Sequence, residues 1–190
     1  MIGRYINLTF LHIDKNLPII IFNIMWQIIL TTLSATLFFG FTILSVIKFG
    51  LLSCYSAYAK CWQPEWHSKI NWWQIVTIIS ALLIVPVTVF TGEGSNYQFF
   101  GFFAPASLLL VGASPEYSTD PFQNVIHQFG AWSAVVFIIA YSIAIPNLLW
   151  IIALLMTIAL IIGLVIKGTL MFWAEMGMYL STYIILYVTV

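Results

Sequence analysis

Six long apolar segments make up most of this 190-residue chain. One of them, NLLWIIALLMTIALIIGLVI at 147–166, contains no charged side chain. About 20 consecutive apolar residues are enough for a helix to cross the hydrocarbon of a bilayer. Inside a bilayer, every backbone polar group must be satisfied within helices or a closed barrel. The segments do not show the alternating polarity of a membrane barrel, so the pattern favours helices.

The charged side chains are too few to cover a water-soluble domain. They amount to 6% of the chain, whereas an ordinary soluble domain has about 25%. The mean hydropathy is +1.04, and the formal net charge of zero gives no indication of a nucleic-acid partner. We therefore predict an all-α, polytopic membrane protein that forms a single transmembrane domain over residues 1–190.

The apolar segments predict six transmembrane helices, near 24–47, 72–90, 97–113, 124–145, 147–166 and 169–189. An interfacial helix is also expected over 2–16. Six spans place both termini on one side, and the connections 48–71 (loop one), 114–123 (loop three) and 167–168 (loop five) on the other. These three loops carry four lysines, whereas the side of the termini has Arg4 and Lys15. Because positive charge is concentrated in cytoplasmic loops, we predict that the three loops are cytoplasmic.

Two ionisable residues lie near one end of the predicted spans. His127 is three residues into its span, and Glu175 is six residues into its own, or about 9 Å deep. Both spans start from the same side of the membrane, so the two residues have similar depths. An acidic side chain at a helix centre costs about 2.5–3.5 kcal/mol on insertion scales, so it needs a partner or a function. We predict that His127 and Glu175 lie together.

Helical spacing extends this site. Gly130 and Ala134 share a face with His127, and small residues let a neighbouring helix approach closely. Tyr179 follows Glu175 by one turn. Loop three lies directly above both spans, and its Glu116 and Asp120 should form the rim of the site together with loop one. The predicted polar site comprises His127, Glu175, Glu116, Asp120 and Tyr179. In the first span, a second polar stripe should face the interior of the bundle; it consists of Asn23, Gln27, Thr31 and Ser34.

The sequence contains no motif for a cofactor, and none is predicted. There is no Gly-rich phosphate loop, no G-x-S-x-G and no H-E-x-x-H. His12 and His67 lie outside the predicted spans, which leaves a haem without two facing intramembrane histidines. Cys54 and Cys61 could join a metal site only with His67 and one further ligand, so no metal site is predicted.

Three short stretches occur in a characteristic order: LLLVGASPE, then NVIHQFGAW, and finally FWAEMGMYL. This order resembles that of the six-helix DRAM/FRAG-like membrane proteins and their uncharacterised bacterial and phage relatives. The matching positions are Gly112, Pro115, His127 and Glu175, and the similarity covers residues 97–190. The resemblance implies a six-helix fold with a histidine and an acidic residue at its site, but it implies no reaction.

These patterns together predict a small integral membrane protein with a one-sided polar cavity between its helices. The cavity would bind a lipid headgroup or a small amphiphile, so the predicted partner is membrane lipid. One alternative is a lipid-modifying enzyme that uses His127 and Glu175 as an acid/base pair. A second is an accessory subunit of a larger membrane complex. A third is a homo-oligomeric channel lined by the polar stripe of the first span.

Overall fold

The computed structural model describes residues 17–62, 71–114, 121–144 and 149–189. Within these ranges the chain forms seven α-helices and no strand. The helices are α1 (Leu17–Phe49), α2 (Tyr58–Trp62), α3 (Trp72–Thr91), α4 (Gln98–Ala113), α5 (Pro121–Ala144), α6 (Leu149–Val165) and α7 (Leu170–Thr189). The six long helices fall on the six apolar segments, and α2 belongs to loop one. The all-α prediction is confirmed for the described residues.

Three of the helices are long and apolar enough to cross a membrane. They are α3, α5 and residues Pro18–Phe49 of α1. Helices α4 and α6 are also apolar but have only 16 and 17 residues, and α7 has 20. Large apolar side chains lie on the outside of the molecule, as Leu164 and Val165 do on α6. The chain is therefore an all-helical protein of membrane type, as predicted at this coarser level.

Helix α1 is longer than the span predicted for it. It begins at Leu17 rather than near residue 24, and its 33 residues correspond to about 50 Å. The hydrocarbon core of a bilayer is about 30 Å thick, so α1 exceeds the length needed to cross it. No charged residue interrupts the helix before Lys48, which explains why it continues without a break. The interfacial helix predicted at 2–16 lies outside the described residues.

The long helices pack largely in chain order. Helix α1 packs against α3, α3 against α4 and α4 against α5, whereas α6 and α7 form a hairpin. Helix α7 returns to α1 and α3, where the Tyr183 hydroxyl lies 2.8 Å from Ser34 Oγ. This arrangement creates a seam between α1, α3 and α7, and loop one enters that seam from one end.

Loop one is folded into the bundle instead of lying over it. A 3-10 helix at Tyr55–Ala57 leads into α2, and the side chains of Tyr55, Tyr58 and Trp62 are all buried. The Tyr58 hydroxyl donates to the Gly50 carbonyl at 2.7 Å, which closes the turn after α1. Gly50 has a φ of +77°, a conformation that other residues seldom adopt. Buried aromatic residues therefore keep loop one inside the bundle.

Candidate functional site

Glu175 holds the buried start of loop one. Its Oε2 accepts a hydrogen bond from the Tyr55 backbone N–H at 2.5 Å. A second contact lies beside it, because the Phe172 N–H in the first turn of α7 donates to the Ser53 carbonyl at 2.9 Å. The N–H groups at the start of a helix have no partner within that helix, so each bond satisfies a group that would otherwise be exposed. Glu175 therefore anchors loop one to α7.

His127 holds the end of α4. Its Nδ1 lies 2.8 Å from the Ser114 carbonyl oxygen, which can only accept, so Nδ1 carries the proton. The Gln74 amide of α3 donates to the neighbouring Gly112 carbonyl at 3.0 Å. The last carbonyl groups of a helix lack intrahelical partners, and at the end of α4 those of Gly112 and of the C-cap residue Ser114 are satisfied by side chains of two neighbouring helices. His127 is buried, as a residue at an interior position should be.

Two aromatic side chains connect these anchors. The ring of His127 lies 6.4 Å from that of Trp73, measured between centroids. Trp73 in turn lies 5.5 Å from the ring of Tyr55, whose N–H binds Glu175. The centroid of Tyr179 is 6.0 Å from that of Tyr55, so Tyr179 belongs to the same cluster. The contacts of His127 and Glu175 thus converge on a centre formed by Tyr55 and Trp73.

Several polar atoms at this end of the bundle are buried without a hydrogen-bond partner among the described residues. They are Trp73 Nε1, Trp173 Nε1, Asn124 Oδ1 and the Tyr55 hydroxyl. Trp73, Asn124 and Trp173 lie within the first four residues of α3, α5 and α7, the three helices that start at this end. Buried polar groups in proteins are nearly always satisfied, so each of these atoms requires an explanation.

The Tyr55 hydroxyl lies near two threonine hydroxyls without bonding to them. Burial raises the pKa of the Tyr55 phenol above its ordinary value, and the nearby hydroxyls of Thr77 and Thr42 offset only part of this rise. The Tyr55 hydroxyl and Thr77 Oγ1 each have no partner of normal hydrogen-bond geometry among the described residues, and Thr42 donates its proton to the Phe38 carbonyl. The phenol therefore stays neutral and remains available as a hydrogen-bond donor.

The predicted site residues have different outcomes. His127, Glu175 and Tyr179 all belong to the network around Tyr55 and Trp73, although their direct pairing stays a prediction. Glu116 and Asp120, which were expected to form the rim, lie outside the described residues. Pro115, the remaining position of the family resemblance, lies outside them as well.

The helix faces largely follow their prediction. Gly130 lies against α4, where a Cβ added to it would be 2.8 Å from the Ser107 carbonyl oxygen. Thr31 and Ser34 are fully buried, and Gln27 is half-buried with its Oε1 lying 3.3 Å from Thr91 Oγ1. Asn23 is exposed, so the inward stripe of the first span begins one turn later than predicted.

The sequence interpretation missed the centre of the site. Trp73 stands at the start of an apolar segment, where tryptophan commonly lies at the membrane interface, whereas its side chain is fully buried. The signal available was spacing, because Trp73, Thr77 and Ser80 share one face of α3. For Tyr55 no comparable signal exists, because it lies in a connection without periodicity.

No known protein family, curated protein or solved structure matches this chain. The similarity to DRAM/FRAG-like proteins remains a prediction from the sequence.

Proposed function

We propose that the chain is a six-helix integral membrane protein that binds the polar headgroup of a lipid or small amphiphile. Three helices of membrane type support the general class. The proposal assigns the remaining three long helices to the membrane as well, since they carry the other apolar segments. Loop one, loop three and loop five would then share one side, which their lysines place in the cytoplasm.

The observation that carries this proposal is the buried indole N–H of Trp73. Its side chain is fully buried beside His127 and Tyr55, and Nε1 has no partner among the described residues. An indole N–H can only donate, so it calls for an acceptor such as a phosphate, ester or carbonyl oxygen. A buried group left without a partner costs about 1–3 kcal/mol, and a bound headgroup would remove that cost.

Two further buried groups at this end of the bundle favour a ligand that has both donors and acceptors. Trp173 Nε1 offers a second donor, and Asn124 Oδ1 offers an acceptor. The start of α7, which contains Trp173, is tied to loop one through Phe172 and Ser53. Lipid headgroups combine acceptor oxygens with hydroxyl or ammonium donors, whereas acyl chains supply neither. The headgroup would thus enter the bundle while its chains remain against the apolar outer surface.

Purification into lipid nanodiscs, followed by mass spectrometry of the retained lipids, tests the proposal. We expect the wild-type chain to retain one lipid class above its proportion in the source membrane. Trp73→Phe should lose that enrichment, because phenylalanine keeps the ring but has no N–H group. The matched control is Trp132→Phe, which makes the same change at a side chain that is 69% exposed on α5.

Retention of the same lipids by both variants would contradict the proposal. If a protein partner were found in stoichiometric amount in place of an enriched lipid, the accessory-subunit alternative would be favoured. Sidedness needs a separate measurement, namely labelling of a cysteine placed at Lys167 with a membrane-impermeant thiol reagent. Replacing Cys54 and Cys61 by serine in that chain removes the background from loop one.

A further inference from the structure

The hydroxyl groups inside this bundle fall into two classes. A serine or threonine in a membrane helix can satisfy its own hydroxyl by donating to the carbonyl one turn earlier. Side chains on four helices do so here, with distances of 2.6–2.8 Å: Thr42, Ser45, Ser107, Ser142 and Ser181. Most buried hydroxyls of these helices are satisfied by this bond, which leaves no hydroxyl proton for other partners.

Three other helical hydroxyls do not donate to a carbonyl of the preceding turn. Thr31, Thr77 and Ser80 are at most 3% exposed, and their Oγ atoms have no hydrogen-bond partner within the described ranges. The Tyr55 hydroxyl also has no hydrogen-bond partner among the described residues. All four lie in the seam between α1, α3 and α7 defined above. Four of the five hydroxyls that lack a partner among the described residues therefore lie in the seam, and the fifth, that of Tyr141, lies on α5.

The four hydroxyls also form an ordered series along the seam. Tyr55 lies near Thr77, and Ser80 follows Thr77 by one turn on the same face of α3. Ser34 Oγ bridges the two helices by donating to the Ser80 carbonyl at 2.8 Å, and it can accept from Tyr183. Thr31 follows on α1, one turn from Ser34 towards the N-terminus.

The series reaches the opposite end of the bundle at Gln27 and Thr91. Gln27 lies one turn beyond Thr31 on α1, and its Oε1 lies 3.3 Å from Oγ1 of Thr91, the last residue of α3, whose hydroxyl donates to the Val87 carbonyl at 2.7 Å. Both side chains are half-buried, so this end of the seam reaches the surface. The Tyr55 end lies under Glu175 and loop one. Polar groups therefore follow the seam from one end of the bundle to the other.

Unsatisfied hydroxyls are costly in such a setting. Water cannot reach them from hydrocarbon, and each costs about 1–3 kcal/mol if it stays without a partner. Buried water molecules typically make about three hydrogen bonds to such groups. Residues one turn apart have Cβ atoms about 5–6 Å from each other, so one water molecule can bridge hydroxyls that point to the same side.

We infer that the seam holds a file of ordered water molecules that connects Tyr55 with Gln27 and conducts protons across the bundle. Between Leu17 and Ile47, α1 has no charged side chain, and α3 has none along its whole length. Large side chains line the seam beside these hydroxyls, since Phe38 is 1% exposed and Ile84 is 3% exposed. The only acidic residue of α7, Glu175, lies at the Tyr55 end, where it accepts from the Tyr55 N–H. Along the rest of the seam a hydrated metal cation would find no counter-charge, whereas a proton needs only a chain of hydrogen bonds. This activity goes beyond headgroup binding and does not depend on it.

Proton flux into proteoliposomes tests the inference. A potassium gradient with valinomycin provides the driving potential, and a trapped pH-sensitive dye reports the protons. We expect the wild-type chain to acidify the liposomes faster than protein-free liposomes acidify. Thr31→Val and Thr77→Val should reduce the rate to that of protein-free liposomes, because valine keeps the shape and removes the hydroxyl. Thr36→Val, the same change at an exposed position on α1, should keep the wild-type rate.

Thermal unfolding of the same variants provides a second measurement. If water occupies the seam, removing a hydroxyl breaks its bonds, so Tm should stay the same or fall relative to Thr36→Val. If no water binds these hydroxyls, Thr31→Val and Thr77→Val each remove an unsatisfied group, and Tm should rise in both variants. A wild-type rate equal to that of protein-free liposomes, an unchanged rate in both seam variants, or a raised Tm in both would each overturn the inference.

Discussion

The two sides of this bundle pack by opposite means. Helix α4 meets its neighbours through glycines, since a Cβ on Gly112 would lie 2.7 Å from the Ile78 side chain and one on Gly130 would lie 2.8 Å from the Ser107 carbonyl oxygen. Helix α7 meets α1 through large side chains, such as the rings of Phe38 and Tyr179 at 4.1 Å. The first interface leaves no room for another group, whereas the second brings hydroxyls and rings into the interior.

This difference separates the close-packed helices from the polar groups on which the two proposals depend. In a bilayer, the hydrophobic effect does not drive helices together, so close packing and hydrogen bonds must do so. The interfaces of α4 with α3 and α5 use close packing around glycines, and the polar groups of α3 and α5 on which the proposals depend lie at the start of each helix or on the seam face of α3. The seam of α1, α3 and α7 uses polar and aromatic side chains, and several of these have unsatisfied atoms. The glycine side therefore acts as a rigid support for the polar side.

The largest loss of stability is expected from Gly130→Ala, which adds a methyl group to the close-packed interface between α4 and α5. The new methyl group would lie 2.8 Å from the Ser107 carbonyl oxygen, 2.9 Å from Leu110 Cβ and 3.1 Å from the Val111 nitrogen. Two of these are backbone atoms, so α4 and α5 must separate. Overpacking of this kind costs up to about 3 kcal/mol, which unfolding in a denaturing detergent would measure.

Gly40→Ala is the matched control for that measurement. Gly40 lies in the middle of α1, and a Cβ there would have no atom within 4 Å. Alanine is favoured over glycine inside a helix by about 0.5–1 kcal/mol, so this variant should be slightly more stable than the wild type. Equal losses of stability at the two positions would show that the glycine side is not closely packed.

An intermediate effect is expected from Glu175→Ala on the polar side. The Tyr55 N–H would lose its acceptor, and an unsatisfied buried donor costs about 2 kcal/mol. Loop one should also loosen, so the Cys54 and Cys61 thiols should react faster with a thiol reagent. Glu175→Gln retains an acceptor oxygen and should keep most of the stability. Identical thiol reactivity in the two variants would contradict the anchoring role.

The sequence predicts the parts of this architecture that depend on regular patterns. Apolar runs locate the six long helices, and helical spacing identifies the buried face that contains His127 and Gly130. The carboxylate of Glu175 was recognisable as an interior group because it interrupts such a run. Each of these inferences uses the period of a helix, which is a local property of the chain.

The remaining parts depend on contacts that have no periodic signature. Glu175 binds a backbone N–H in loop one, and any residue except proline could supply that group. Loop one has no repeating pattern, so its insertion between the helices could not be read from its sequence. Trp73 stands at the start of an apolar segment, where either a buried or an interfacial indole is compatible with the pattern.

The smallest effect is expected from Tyr183→Phe within the seam. The ring remains against Phe39, so the variant loses only the hydroxyl bond to Ser34. Ser34 keeps its bond to the Ser80 carbonyl, and hydrogen bonds between membrane helices contribute about 0.6 kcal/mol on average. Tyr187→Phe is the control, because its hydroxyl binds Thr32 on the exposed surface. If Tyr183→Phe lowered the free energy of unfolding as much as Gly130→Ala does, hydrogen bonds rather than ring packing would hold α7 against α1. The two sides of the bundle would then differ in polarity and not in how closely they pack.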